Sequence, residues 1–303
     1  MKKVLITGSN GLLGQKLVNL FSAMDHYNVI AVSLGDNRNS TAKNFKYYSA
    51  DITDKKTIDT ILTCESPNVI INTAALTNVD QCETDKVLCD KINIEAVRML
   101  VQYCEEKGAY LVHISTDFIF DGKAGPYREE DVPNPVNYYG LSKLKSEQII
   151  LASGIDYAIL RTILVYGIVD NMSRSNIVLF VKQALEQKKE ITIVDDQFRM
   201  PTLVDDLALA CFQAVERKAH GIFNISSNEL LSIYEMAVEI ARVFKLDTAY
   251  IKRIKTSQLN QPARRPERTG FYLDRAHEAL GFPFASFGER LQVFKNQLIT
   301  PGN

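Results

Sequence analysis

Short apolar runs alternate with segments of helical spacing along the first ~165 residues. The runs have strand length and comprise Val4–Thr7, Val29–Ser33, Val69–Asn72, Leu111–Ser115 and Ala158–Arg161. The intervening helical segments are Leu12–Phe21, Thr57–Leu62, Lys91–Glu106 and Tyr139–Leu151. In the first helical segment, Leu13, Leu17 and Phe21 recur every fourth position, which gives one buried stripe. This alternation predicts an α/β fold with a doubly wound parallel sheet.

The regular alternation of strand and helix segments ends at about residue 168. A polar stretch, Asp170–Ser175, comes first, and a Pro- and Arg-rich loop, Gln261–Arg268, comes late. The segments between them read as helices and strands: Ile177–Gln187, Ile191–Val194, Asp205–Glu216, Gly221–Ser226 and Ile233–Phe244. We therefore expect a main domain over 1–168 and a smaller lobe over 169–303, with roughly 190–226 partly returning to the main sheet.

Three glycines follow the first strand and open the first helix. Gly8, Gly11 and Gly14 have the spacing G-x-x-G-x-x-G, with Leu12 and Leu13 between the last two. Such a turn brings the backbone and the positive end of a helix close to a diphosphate. A glycine-rich turn without a ligand is the alternative, but the strand before it and the amphipathic helix after it favour a Rossmann-type dinucleotide site.

The end of the second strand bears on the choice of cofactor. NAD-specific sites usually place a carboxylate there, whereas this chain has Ser33, and Arg38 follows five residues later. A small hydroxyl leaves room for a 2′-phosphate that Arg38 can pair with, so NADP is preferred and NAD is the alternative. In that alternative Arg38 is a solvated charge and Asp36 serves as the acid. Asp51, at the end of the third strand with Ile52, can accept from the adenine amino group.

A Y-x-x-x-K pattern suits carbonyl reduction. Tyr139 and Lys143 lie one helical turn apart and share a face. A nearby cation lowers the pKa of a phenol and makes it a better proton donor. Thr116 lies at the carboxyl end of Leu111–Ser115, the edge where doubly wound sheets bind ligands, and can donate to a substrate carbonyl. Singly, these residues read as a surface pair and a turn cap; together they predict a catalytic set.

Composition narrows the classes of partner. The net charge is −1 and the basic residues are scattered, so a nucleic-acid partner is not expected. Five cysteines without a C-x-x-C pair favour reduced thiols over disulfides or zinc. We expect no membrane segment and no secretory signal, and hence a cytoplasmic protein.

Several segments resemble the extended short-chain dehydrogenases, and within them the dTDP-4-dehydrorhamnose reductase family. They are GSNGLLGQKL, NTAALTNVDQCE, STDFIFDG, YYGLSK, ILRTILVYG, DDQFRMPTLVDDLA and RRPERTGFYLD, in the expected order. The resemblance implies NADPH-dependent reduction of a keto group on a nucleotide sugar, with Thr116, Tyr139 and Lys143 as the catalytic triad. It also implies a set of cofactor contacts and sugar contacts: Gly11, Leu12, Leu13, Asp51, Ile52, Ala74, Ala75, Leu76 and Thr77 for the cofactor, and Thr116 and Asp117 for the sugar. Asn93 matches an Asn that many relatives use in a proton relay.

The chain departs from that family pattern on the substrate side. Leu164 stands where relatives often place a Trp against the substrate, and Arg199 replaces a Gly. The terminal R-P-x-x-S-x-L-D has become Arg265–Phe271. Some bacterial reductases bind Mg²⁺ at a dimer interface through a Glu where this chain has Lys16, so no metal is expected. A homodimer is common in the family and stays open here.

Two other functions compete with the reductase. An epimerase can use the same scaffold, whereas a dehydratase is disfavoured because Phe118, not Glu, follows Asp117. The chain is also similar to the regulatory β subunit of methionine adenosyltransferase, through Pro126–Asp131, the Arg199-x-Pro-Thr pattern and Tyr234–Ala237. That resemblance implies a non-catalytic, NADP-binding role, against which the Thr116, Tyr139 and Lys143 set argues.

Overall fold

A computed structural model describes residues 1–172 and 175–299 of the 303-residue chain, so part of the polar stretch 170–175 lies outside the described residues. The strands are β1 Lys2–Thr7, β2 Tyr27–Ser33, β3 Phe45–Ser49, β4 Val69–Asn72, β5 Tyr110–Thr116, β6 Tyr157–Thr162, β7 Ile191–Val194, β8 Phe198–Arg199, β9 Gly221–Ile225, β10 Leu231–Ser232 and β11 Ile251–Ile254. The helices are α1 Leu12–Ser22, α2 Lys55–Glu65, α3 Val79–Thr84, α4 Lys86–Asp90, α5 Ala96–Lys107, α6 Tyr138–Ala152, α7 Ile177–Glu186, α8 Val204–Arg217, α9 Ile233–Phe244, α10 Asp274–Leu280 and α11 Phe287–Ile299. None of these helices is both long enough and apolar enough to span a bilayer.

Seven strands form one parallel sheet in the order β3-β2-β1-β4-β5-β6-β9. The chain runs outward from β1 to β3 and then returns to β4 on the other side of β1. The strand order therefore reverses between β1 and β4, and ligands of such sheets bind outside the carboxyl ends of the strands at that point. The predicted doubly wound α/β fold is confirmed.

Helices cover both faces of the sheet and each face has its own apolar core. On one face the predicted stripe Leu13, Leu17 and Phe21 of α1 is buried together with side chains of α8. On the other face α2 and α5 bury residues such as Ile61 and Leu100 against the strands. Buried on both sides, the central strands are almost continuously apolar, which is why they read as short uninterrupted runs.

The later part of the chain divides its elements between two places. β9 joins the main sheet beside β6, and α8 packs against α1. In contrast β7 pairs with β11, and α7, α9 and α11 form a separate core around Tyr166, Phe287 and Phe294. The predicted boundary at residue 168 stays a prediction.

The segment before α5 differs from the predicted helix 91–106. Lys91–Glu95 forms a π-helical turn, and α5 begins only at Ala96. Two short helices, α3 and α4, precede it where no element was predicted, and each begins at a capping side chain, Asn78 for α3 and Asp85 for α4. Single π-helical turns are often found at functional sites, and this one carries Asn93.

Candidate active site

The glycine turn between β1 and α1 is shaped for close backbone approach. Gly8 has φ +65°, and a Cβ there would lie 2.8 Å from Ala74 N. A Cβ on Gly14 would lie 2.3 Å from the carbonyl oxygen of Gly8. The first position is disfavoured for any side chain and the second has no space for one. The turn therefore needs glycine at both positions for its geometry alone.

The same turn leaves polar groups available to a ligand. Gly11 precedes α1 without a side-chain cap, and the first turn of the helix carries no acidic residue. The hydroxyl of Ser9 is buried without a hydrogen-bond partner within the described residues. Unpaired N–H groups and an unused hydroxyl at a helix N-terminus fit the diphosphate of a dinucleotide. Leu12 and Leu13, two of the predicted cofactor contacts, begin the helix.

The loop after β2 is held in place by Asn10, which sequence reasoning missed. Its Nδ2 donates to the carbonyl oxygens of Leu34 at 3.2 Å and Asp36 at 2.9 Å. Its Oδ1 accepts from Arg38 N at 2.9 Å. Only the backbone of Arg38 is used here, so its guanidinium is not needed for this clamp. Ser33 ends β2 at the edge of the same loop. The only signal in the sequence was an amide within the glycine motif.

Asp51 and Ile52 follow β3 at the carboxyl edge of the sheet. One carboxylate oxygen of Asp51 accepts from the backbone and hydroxyl of Thr53, both at 2.8 Å. The exposed Asp51 side chain is thus oriented by its own turn.

Asn93 holds the loop that follows β4. Its Oδ1 accepts from Leu76 N at 2.8 Å, and its Nδ2 donates to the carbonyl oxygen of Leu76 at 3.1 Å and to Ser142 Oγ at 3.0 Å. The loop contains the predicted cofactor contacts Ala74, Ala75, Leu76 and Thr77. Asn93 therefore ties this loop to α6, so the structure gives the residue a positioning role.

Tyr139 and Thr116 meet because α6 begins very close to the end of β5. Asn137 caps α6 by accepting from Gly140 N at 2.8 Å. A Cβ on Gly140 would lie 2.0 Å from the carbonyl oxygen of Phe118, so glycine permits the approach. Tyr139 then lies beside Thr116 and packs edge-on against Phe118.

The pKa of Tyr139 differs from the expectation. Burial raises the pKa of this phenol above its usual value, and the hydrogen bond with Thr116 offsets only part of that rise. The expected lowering by Lys143 is not seen. Instead, Lys143 Nζ lies 3.0 Å from Nε2 of His113, a buried β5 residue that sequence reasoning did not single out. Burial lowers the pKa of Lys143 to about 8.

Asp117, expected to contact the sugar, is buried in a polar cluster. It accepts a hydrogen bond from the hydroxyl of Thr269 and forms an ion pair with Arg199, whose Nε lies 3.7 Å from Asp117 Oδ2. Arg199 also donates to the carbonyl oxygens of Phe198 at 2.7 Å and Pro266 at 2.6 Å. Arg199 and Thr269, which belong to two of the departures from the family pattern, therefore meet at Asp117.

Leu164 is apolar and partly exposed, in contrast to the buried, polar Asp117. It is 38% exposed, and its φ of +41° lies in the left-handed region that leucine rarely adopts. Such backbone strain is common at ligand sites. An exposed apolar side chain here is suited to packing on a substrate.

Lys16 forms an ion pair with Asp205 of α8 at 2.8 Å. Within residues 1–172 and 175–299, no group of three or more His, Cys, Asp or Glu side chains is arranged to hold a metal.

The family model described as the RmlD substrate binding domain matches residues 1–299. The chain belongs to that family. This confirms the assignment made from the motifs. A dTDP-4-dehydrorhamnose reductase from Clostridium acetobutylicum is 30% identical, and its structure has a TM-score of 0.88 over 99% of this chain and 100% of that one.

Two further relatives bear on function. The dTDP-4-dehydrorhamnose reductase from Bacillus anthracis in complex with NADP is 28% identical, with a TM-score of 0.85 over 98% of this chain and 100% of that one. The Bos taurus protein methionine adenosyltransferase 2 subunit beta is 32% identical over 92% of this chain and 83% of its own length. The predicted similarity to both kinds of protein is confirmed.

Proposed function

We propose that this chain is an NADPH-dependent reductase that acts on a keto group of a nucleotide sugar, in the manner of a dTDP-4-dehydrorhamnose reductase. The observation that carries the proposal is the approach of Tyr139 to Thr116 at the carboxyl end of β5, with Lys143 one helical turn further along α6. The NADP complex of the Bacillus anthracis reductase supports the choice of cofactor. NAD is the alternative cofactor.

The residues that would hold NADPH come from four loops at one edge of the sheet. The glycine turn and Ser9 would hold the diphosphate, and Arg38 with Ser33 would hold the 2′-phosphate. Asp51 with Ile52 would bind the adenine, and the loop 74–77 would bind the nicotinamide half. When bound, NADPH supplies a hydride for the carbonyl carbon. Residues 1–168 are accordingly assigned to cofactor binding and 169–303 mainly to the sugar.

Residues of the chain itself polarise and protonate the carbonyl oxygen. The Thr116 hydroxyl donates a hydrogen bond to that oxygen and polarises the C=O bond. Tyr139 transfers its phenolic proton to the same oxygen as the alkoxide forms. A Lys143 ammonium stabilises the resulting tyrosinate. Leu164 offers an apolar surface to the sugar ring.

A second candidate is a subunit role, favoured by the 32% identity to methionine adenosyltransferase 2 subunit beta. In that case the dinucleotide site would regulate or stabilise an assembly. A cytoplasmic location and a homodimer stay predictions under either function.

NADPH consumption tests the two candidates. The purified chain is mixed with NADPH and a panel of 4-keto nucleotide sugars that differ in nucleotide and in configuration at C5. The reductase is supported if one sugar drives consumption in the wild type and Tyr139→Phe lowers turnover by about 10²-fold or more, with NADPH binding preserved.

The subunit role is tested separately with a methionine adenosyltransferase catalytic chain. Stable association that changes the rate of S-adenosylmethionine formation, with no NADPH consumption on any sugar, would replace the reductase proposal.

A further inference from the structure

A buried polar network lies behind the catalytic lysine. His113 on β5 is 0% exposed, and its Nδ1 lies 3.1 Å from Asn72 Nδ2. Its Nε2 lies 3.1 Å from Ser146 Oγ and 3.0 Å from Lys143 Nζ. The imidazole thus connects the central strands to α6 at the catalytic lysine.

The proton on His113 can be located from one end of this network. The backbone N–H of Ala74 must be a donor, and it lies 3.3 Å from Thr7 Oγ1. The Thr7 hydroxyl donates to Asn72 Oδ1 at 2.6 Å, a distance typical of O–H···O bonds. Asn72 therefore presents its N–H to His113 Nδ1, which must be the unprotonated nitrogen.

The other end of the network gives the same tautomer. The carbonyl oxygen of Lys143 must be an acceptor, and the Ser146 hydroxyl donates to it at 2.7 Å. The Ser146 oxygen then accepts from His113 Nε2. A neutral imidazole with Nδ1 as acceptor carries its proton on Nε2, which agrees.

The single Nε2–H of His113 is thus shared between Ser146 Oγ and Lys143 Nζ, and Lys143 Nζ lies 3.0 Å from Nε2. An ammonium has three donors and no lone pair, so it cannot accept from that N–H, whereas a neutral amine can. The carboxylate on the same face of α6 is already paired with an arginine. Glu147, one turn further along α6, is held by Arg161 Nε at 3.1 Å and Nη2 at 2.8 Å.

Burial acts in the same direction on both bases. It lowers the pKa of Lys143 to about 8 and lowers the pKa of His113 well below its usual value. The attraction of Glu147 and Cys89 for the Lys143 charge opposes this effect without cancelling it. Protonating both of two adjacent buried bases is unfavourable in free energy.

We propose that His113 is a positioning residue that favours the neutral amine of Lys143 in the cofactor-free protein, and that dinucleotide binding shifts Lys143 to its protonated form, with the proton taken from solvent. The amine gains one proton and becomes the ammonium that Tyr139 needs. The negative charge of the bound diphosphate favours that form. The inference rests on the dinucleotide site of the proposed function, and not on the identity of the sugar.

Nitrogen-15 NMR of the histidine rings tests the tautomer of His113 and needs no activity assay. The chain has four histidines, and the His113 signals are those missing from His113→Gln. His113 is expected as the neutral Nε2–H tautomer. His277 is the control for the other tautomer. Its Nδ1 lies 2.9 Å from the carbonyl oxygen of Phe282 and must donate, so its neutral form should be Nδ1–H. An Nδ1–H tautomer or an imidazolium at His113 would overturn the proposal.

Calorimetry of NADP⁺ binding in buffers of different ionisation enthalpy tests the proton uptake by Lys143. At about pH 8.5 the wild type is expected to take up roughly half to one proton per chain, and Lys143→Met none. Equal heats in all buffers for the wild type, or the same uptake in Lys143→Met, would contradict proton uptake at Lys143. If NADP⁺ does not bind at all, the proposed function fails, while the NMR test still decides the tautomer.

Two variants of His113 separate positioning from folding. His113→Gln keeps an N–H donor, and His113→Leu removes it. Turnover is expected to fall about tenfold or more in the Leu variant and much less in the Gln variant, because a displaced Lys143 no longer serves Tyr139. Wild-type turnover in a folded His113→Leu protein would show that the imidazole does not position Lys143.

Discussion

Arg199 and Asp117 form an ion pair with both side chains buried, 4% and 3% exposed. The pair joins the end of β5, next to Thr116, to the segment that contains Pro266 and Thr269. Arg199 also lies over the ring of Phe118, which packs against Tyr139. The late Pro- and Arg-rich loop is therefore fixed beside the catalytic residues by a side chain that the family pattern does not provide.

Removing the cation of this pair is expected to destabilise the fold. Arg199→Met would leave the Asp117 carboxylate buried without its cation, which costs about 3–5 kcal/mol in the free energy of unfolding. Arg98→Met is the matched control, because Arg98 pairs with Glu95 at 3.4 Å on the surface and such pairs contribute about 1 kcal/mol or less. Urea denaturation measures both. Equal small effects would mean that the buried pair does not hold the loop.

Gly14 tests the glycine turn. In Gly14→Ala the new Cβ would meet the Gly8 carbonyl oxygen at 2.3 Å, so the turn or α1 must shift. NADPH affinity is expected to fall about tenfold or more, since the diphosphate site is built from this backbone. Gly154→Ala is the control, with no atom within 4 Å of the added Cβ. Fluorescence titration measures the affinity of both variants for NADPH. Unchanged affinity in Gly14→Ala would mean that the cofactor does not bind at the glycine turn.

Arg38 tests the cofactor preference. Arg38→Ala is expected to weaken NADPH binding about tenfold, the loss of roughly one charge-assisted hydrogen bond to the 2′-phosphate, and to leave NADH binding unchanged. Lys43→Ala, a nearby exposed cation, is the control. If the two dinucleotides lose affinity equally, Arg38 does not read the 2′-phosphate.

The sequence predicted those parts of the molecule that depend on local patterns. The β1 run, the α1 stripe and the Tyr139–Lys143 spacing each repeat with the period of one element, so they could be found without knowing the partner. The two-residue strands β8 and β10 have no period of their own and form only through pairing with each other.

The missed site residues depend on contacts far apart in the chain. His113 reads as one more position of a buried strand, and only the fold brings it to Lys143, 30 residues later. Arg199 was noticed as a departure, but its pairing with Asp117 crosses from β5 to β8. The pKa of Tyr139 was expected to fall because the sequence shows its cation but not the burial that raises it.

The pH dependence of the reaction follows from Lys143. Burial lowers its pKa to about 8, so in the free protein the ammonium is present below that pH and is lost above it. We expect kcat/KM for NADPH to decline by about tenfold per pH unit above about pH 8, because this parameter reports the free protein. Stopped-flow or steady-state rates across the range measure it. A flat profile up to about pH 10 would show an unperturbed lysine.

Label transfer tests the central claim most directly. The chain is incubated with a 4-keto nucleotide sugar and NADPH deuterated at the transferable position of nicotinamide C4, and the sugar product is examined by mass spectrometry. We predict a product that carries one deuterium at the former keto carbon in the wild type, and about a hundredfold less of that product over the same interval in Tyr139→Phe. Wild-type protein that binds NADPH but transfers no deuterium to any sugar of the panel would contradict the account.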